Sequence, residues 1–245
     1  MKAHAQAARA ESDGGRRPLD NRTLWEQVRD QLREDILAGR LRPGTELSEV
    51  ALARELGTSR GPLREALGRL ASEGLITITP RRGAVVTQLT RQEFIDAYQV
   101  REALETFAVR LAVPRLSDVE IAHLRELCEL MERAARDGEV QVFFETNTRF
   151  HEALVRASGN DKLHEVHRML VGQMVPYRPR SLELRGNLQQ SVAEHREILA
   201  AIEARDAEHA VALLAAHIEV PQRVIEAEDG RDLFRDERDR TDPTT

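Results

Sequence analysis

Apolar residues recur at intervals of three and four along most of the chain. Leu24, Val28, Leu32, Ile36 and Leu37 fall on one helical face, and Gly39 predicts the end of that helix. Arg42-Pro43-Gly44 predicts a turn. A short helix is expected from about Ser48 to Leu56, with Ser48 as N-cap and Gly57 as its stop. A third begins at Ser59, accepts Pro62 in its first turn, and ends near Glu73-Gly74.

The period changes once. Ile76-Thr77-Ile78-Thr79 and Ala84-Val85-Val86-Thr87 are β-branched and alternating, and Pro80-Arg81-Arg82-Gly83 between them predicts a two-stranded hairpin with an arginine tip. A lone hairpin is marginal in water, so it must pack on the helices before it. Helical spacing then returns and persists, predicting helices at about 91–112, 117–136, 139–158, 160–178, 187–204 and 206–227. Thr90 with Glu93, and Ser117 with Glu120, have the spacing of capping boxes and mark two of the starts.

The expected fold is mainly α. A winged helix-turn-helix of three helices and a hairpin (residues 21–89) precedes an all-α six-helix antiparallel bundle (90–227). The polar segment 1–20 reads as a flexible arm and the charge-dense 228–245 as a disordered tail.

Composition narrows the class. Of 245 residues, 41% are hydrophobic and only 4% aromatic, which predicts a packed, mostly aliphatic core. No apolar run approaches a bilayer span and the N-terminus lacks a secretory apolar segment, so a cytoplasmic protein with no membrane partner is expected. The single cysteine, Cys128, excludes an internal disulfide or a multi-thiolate metal site, and reads as a small buried apolar residue.

The net charge of -6 is unevenly divided. Residues 21–90 carry 11 Arg against 9 acids, whereas 91–245 hold 21 basic and 30 acidic side chains. Two segments with opposite balance suggest two tasks.

In a winged helix-turn-helix the second helix of the pair enters the major groove by its N-terminal residues, here Ser59, Arg60, Gly61, Pro62, Leu63 and Arg64. Arg60 and Arg64 share a face at i, i+4 and suit guanine or phosphate, and Ser59 offers a hydroxyl. Gly61 permits backbone approach, while Arg81, Arg82 and Gly83 at the hairpin tip reach phosphate or the minor groove. The competing reading is that arginine is simply this chain's cation, since Lys2 and Lys162 are its only lysines.

These residues carry a resemblance. Leu47-Ser48-Glu49, Leu52-Ala53, the run Leu56 to Leu67, Leu70, Glu73-Gly74-Leu75 and Arg82-Gly83 are similar to the N-terminal domain of GntR-family bacterial transcription regulators. Gly61 stands where that family usually has threonine or another side chain. The remainder resembles the FadR-like subfamily, with its FCD-type ligand-binding domain. It does so through Tyr98, Arg101, Leu104-Glu105, Asn147, Phe150-His151, Leu154, Gly159-Asn160, Leu163, His195, Ile198, Ala201-Ile202, Asp206, Ala210 and His217. The resemblance implies a helical bundle with a central cavity, often holding a metal and answering to small organic acids. It also implies a homodimer on double-stranded operator DNA, with repression relieved by the effector.

The residues themselves support a cavity. Asn147 and His151 lie one turn apart on one helix, while His195 and His217 sit on later helices among aliphatic neighbours. Imidazoles converging in an apolar bundle satisfy one another poorly without an ion. Asn147, His151, His195 and His217 are therefore the expected ligands of a divalent transition metal, zinc or nickel foremost. Asn147 replaces the aspartate common in the resembling family. For any one of these histidines, a hydrogen-bonded core role is the alternative. His164 and His167 read as surface residues or as an outer layer around the ligands.

Arg101 is the expected contact for an effector carboxylate, a position taken from the resemblance. A buried ion pair with Glu105 at i+4 is the alternative. Gln173, Tyr177 and Arg178 are assigned to the cavity lining. Two other functions stay open: a regulator whose signal is the metal itself, and an all-α metal-dependent hydrolase. The hydrolase is disfavoured because Glu152 and Glu194, adjacent in sequence to His151 and His195, point about 100° around their helices from them.

Overall fold

The computed structural model describes residues 22–79, 83–177 and 188–226. The expected arm and tail, and Arg81, Arg82 and Arg178, lie outside the described residues. The first helices are α1 (Leu24–Leu37), α2 (Glu49–Glu55) and α3 (Arg60–Ser72). Ser48 caps α2 by accepting from Ala51 N at 3.4 Å. Leu63, Ala66, Leu67 and Leu70, spaced by three and four, form the buried face of α3. They meet Val28, Leu32 and Ile36 of α1 in one apolar cluster.

Strands β2 (Ile76–Thr79) and β3 (Gly83–Val86) pair antiparallel, Ile76 opposite Val86 and Thr79 opposite Gly83. The sequence predicts two strands and the fold has a third. Glu46–Leu47 forms β1 on the free edge of β3, giving the order β1-β3-β2. Two residues are too few to carry an alternating signal, so β1 exists only through its partner.

The remaining described helices form the bundle. They are α4 (Arg91–Ala112), α5 (Asp118–Asp137), α6 (Val140–Ala157), α7 (Asp161–Met174), α8 (Leu188–Glu203) and α9 (Ala207–Glu226). Both predicted capping boxes are present: Thr90 and Glu93 open α4, Ser117 and Glu120 open α5. Helix α4 packs on α6, α7 and α9, and α5 packs on α6 and α8. One boundary moves. The helix expected over 160–178 gives way after Met174 to a 3₁₀ turn over Val175–Tyr177, because Pro176 has no N–H to continue the ladder.

Among the described residues the two large apolar clusters lie one in the N-terminal domain and one in the bundle, and a small third, Ala108, Val155 and Leu163, joins α4, α6 and α7. Val171 and Val175 belong to the first although they follow the bundle helices in sequence. Helix α7 is thus the bundle's docking surface. A Cβ placed on Gly172 would lie 1.6 Å from the Glu73 carbonyl oxygen, and one on Gly74 would lie 2.2 Å from that of Met169. Backbones meet here at a separation only glycine allows. Nearby, Thr87 Oγ1 donates to Gly74 O at 2.7 Å, and the Tyr177 hydroxyl accepts from Leu89 N at 2.7 Å.

Candidate functional site

The DNA-reading candidates sit at the start of α3. Ser59 is its N-cap residue, although its side chain makes no capping hydrogen bond. Ser59, Arg60, Gly61 and Arg64 are exposed and Pro62 is half-buried. No heavy atom lies within 4 Å of a Cβ built on Gly61 or on Gly68, so this face is open to close approach. Arg60 makes no ion pair among the described residues. Arg64 donates from Nε to Glu49 at 2.8 Å, which ties α3 to α2 and orients the guanidinium. Gly83 takes φ +83° where β3 begins.

Three buried imidazoles converge in the bundle. His151 on α6, His195 on α8 and His217 on α9 each offer a ligand atom, and these atoms lie within 4.8 Å of one another. Ring centroids are 5.4 Å apart for His151 and His195, 5.3 Å for His151 and His217, and 4.4 Å for His195 and His217. Each Nδ1 is tied to an oxygen: Glu105 Oε2 at 2.6 Å, Ser191 O at 2.7 Å and Glu194 Oε2 at 2.7 Å, respectively. An imidazole donating from Nδ1 carries its lone pair on Nε2, so all three rings are set as Nε2 ligands. Asn147 is buried one turn before His151 on the same helix. Neutral imidazoles with fixed tautomers suit a borderline divalent ion, so the donor set fits the expected group. Pro221, one turn beyond His217, leaves the His217 carbonyl without its usual helical donor.

Glu105 is the hub beneath this cluster. Only 1% exposed, it accepts from Arg101 Nε at 2.6 Å, His151 Nδ1 at 2.6 Å and His167 Nε2 at 2.8 Å. Burial by itself raises a carboxyl, but Arg101 and His151 outweigh it and hold Glu105 well below the usual carboxylate range. The ion pair weighed as the alternative for Arg101 is therefore present. It uses Nε and leaves Arg101 Nη2 buried with no hydrogen-bond partner among the described residues.

His167 is 3% exposed, so the surface reading fails for it; it lies one residue outside the ligand set, through Glu105. His164 is half-buried and pairs with Glu152 at 3.2 Å. Gln173 lies beside Gly74 at the domain joint, and Tyr177 bonds the Leu89 backbone. Cys128 is buried, which pushes its thiol up to about 12 and leaves it unreactive. Of the two candidates for a hydrolytic base, Glu152 is engaged by Arg156 and His164, and Glu194, expected to point away from the cluster, instead bonds His217 Nδ1. The hub role of Glu105 and the acceptors Ser191 and Glu194 were not read from the sequence. The i, i+4 spacings of Arg101 with Glu105 and of Ser191 with His195 were the local signals available.

The fold is a winged helix-turn-helix joined to an all-helical domain with a buried histidine cluster, and comparison with known proteins agrees on that architecture. The model of the gntR family of bacterial regulatory proteins matches residues 24–86, and that of the FCD domain matches 96–220. A probable D-xylose utilization operon transcriptional repressor from Paenarthrobacter nicotinovorans is 33% identical, over 84% of this chain and 90% of its own. The Nta operon transcriptional regulator of Aminobacter aminovorans is 34% identical, over 73% of this chain and 83% of its own. The solved structure of Escherichia coli McbR (YncC) is 29% identical with a TM-score of 0.69, covering 81% of this chain and 94% of McbR. The chain therefore belongs to the GntR family of bacterial transcription regulators, in the group carrying an FCD domain. It is a DNA-binding regulator. Among the described residues no helix is long and apolar enough to cross a membrane.

Proposed function

We propose that this protein is a homodimeric, metal-dependent repressor that releases its operator when a small organic acid enters the bundle. The observation that carries the reading is the convergence of His151, His195 and His217, each with Nδ1 already bonded to oxygen. Such a set presents three preset lone pairs, and Asn147 supplies a fourth, neutral oxygen ligand. Zinc or nickel is the expected ion, and it would act there as a Lewis acid toward an effector oxygen. Arg101, with Nη2 still to be satisfied, takes the effector carboxylate, and Glu105 holds both Arg101 and His151 in place.

At the other end Ser59, Arg60, Gly61, Pro62 and Arg64 read the major groove, while Arg81, Arg82 and Gly83 contact the backbone or minor groove. Two reading helices, one per protomer, match a pseudo-palindromic operator. Repression is favoured because relatives bear the names of transcriptional repressors. By linkage, an effector that weakens operator affinity must have its own affinity weakened equally by operator.

The test is thermal melting of metal-stripped and metal-loaded protein against a panel of small carboxylic acids, followed by footprinting with any acid that binds. One acid should raise the melting temperature only with metal present, and Arg101→Ala and His195→Ala should each abolish the shift. Operator protection unchanged by every metal and acid would refute the reading.

A further inference from the structure

A cavity of about 220 Å³ opens where the two domains meet, and its lining does not include the three histidines that carry the proposed function. Its charged lining comes from both domains: Arg33 on α1 and Glu73 after α3 from one, Glu152 and Arg156 on α6 with His167 and Arg168 on α7 from the other. Arginines outnumber carboxylates there by three to two. Arg33 donates to Glu73 at 3.0 Å and Arg156 to Glu152 at 3.1 Å, each with further N–H groups to spare. Arg168 makes no ion pair or hydrogen bond among the described residues.

His167 supplies the second observation. It is 97% buried, being 3% exposed, yet it lines the cavity. Its Nε2 is bonded to the Glu105 carboxylate at 2.8 Å, which makes Nε2 the donor, and in the neutral ring Nδ1 is then an acceptor. No described residue donates to Nδ1. A ligand here meets guanidinium donors on one side and, on the other, an acceptor that wants a hydroxyl.

We infer that the domain-joint cavity binds a phosphate group carrying a hydroxyl, as monohydrogen phosphate or a small phosphate monoester of a polyol. The oxyanion meets Arg168 with the spare donors of Arg33 and Arg156, and the hydroxyl donates to His167 Nδ1. Sulfate, equal in shape and charge but without a hydroxyl at neutral pH, leaves Nδ1 unmet and binds more weakly. Arg33 belongs to the DNA-binding domain and His167 to the bundle, so the ligand touches both sides of the joint.

The test is calorimetric titration of the full-length protein, in buffer free of oxyanions, with inorganic phosphate, glycerol 3-phosphate and sulfate. Phosphate or glycerol 3-phosphate should bind at least tenfold more tightly than sulfate, and whichever binds better identifies the source. Arg168→Gln, at an exposed position that does not threaten folding, should raise Kd at least tenfold. His195→Ala, which strips an imidazole from the bundle cluster, should leave Kd unchanged. No binding, equal binding of sulfate, or loss in His195→Ala with Arg168→Gln unaffected would each overturn the inference; the last would assign the anion to the bundle cavity.

Discussion

Glu105 concentrates the energetics of the bundle in one carboxylate. It is buried against Arg101, His151 and His167, so its removal strands a guanidinium inside the protein. Glu105→Gln keeps the shape and loses the charge. It should cost about 3–5 kcal/mol in urea unfolding, the usual range when one partner of a buried ion pair is deleted. The same variant frees the His151 ring from its orienting acceptor. Zinc affinity, read by competition with a chromophoric chelator, should therefore fall about 10–100-fold. Arg60 poses the corresponding question on the DNA side. Exposed and with no ion pair among the described residues, it is free to meet a base edge, whereas Arg64 is already drawn toward Glu49. Arg60→Ala should weaken operator binding by about 1–3 kcal/mol and relax specificity at one base pair per half-site, read by binding to substituted operators.

At the scale of the element, the helix starts were written locally. In α5 the Ser117 hydroxyl accepts from Glu120 N at 3.3 Å, and the Glu120 carboxylate accepts from Ser117 N at 2.7 Å. Ser117→Ala should cost about 1 kcal/mol in a chemical melt. The hydrogen bonds from Ser117 lower the Glu120 carboxyl. A depressed folded value contributes stability that is complete above the unfolded carboxyl value of about 4.3 and is lost as pH falls through the folded one. Acid melts of Ser117→Ala should accordingly show a shallower loss of stability below about pH 4.3 than the parent. The joint is a different kind of element, made of two backbones in contact. Gly172→Ala sets a methyl 1.6 Å from the Glu73 carbonyl oxygen, and α7 must then part from the turn after α3. The expected cost is about 1–3 kcal/mol, with faster proteolysis between the domains, because overpacking here has no flexible side chain to displace.

Across the whole molecule, two domains share one helix: α7 contributes Val171, and the 3₁₀ turn after it Val175, to the N-terminal core, while His167 of α7 joins the hub of the bundle. Three- and four-residue spacing, caps, stops and the alternating hairpin were enough to predict every described helix, two of the three strands and the division into a reader and a helical bundle. These features are local, since each depends on side chains within one or two turns of each other. The four candidate ligands could also be named, because buried polar residues stand out on apolar faces. The hub could not. Glu105 and His151 are 46 positions apart, Glu105 and His167 are 62, and His217 meets Glu194 across 23. No periodicity links such pairs, and the i+4 neighbour of Arg101 was indistinguishable from an ordinary ion pair until the helices came together. The edge strand Glu46–Leu47 and the Gly74–Gly172 contact have the same origin, for each is defined by a partner distant in sequence. Sequence by itself determined which faces had to be buried and which polar groups lay on them. Tertiary structure alone decided which buried groups met, because that depends on how helices cross and where backbones touch, and neither is recorded in local spacing.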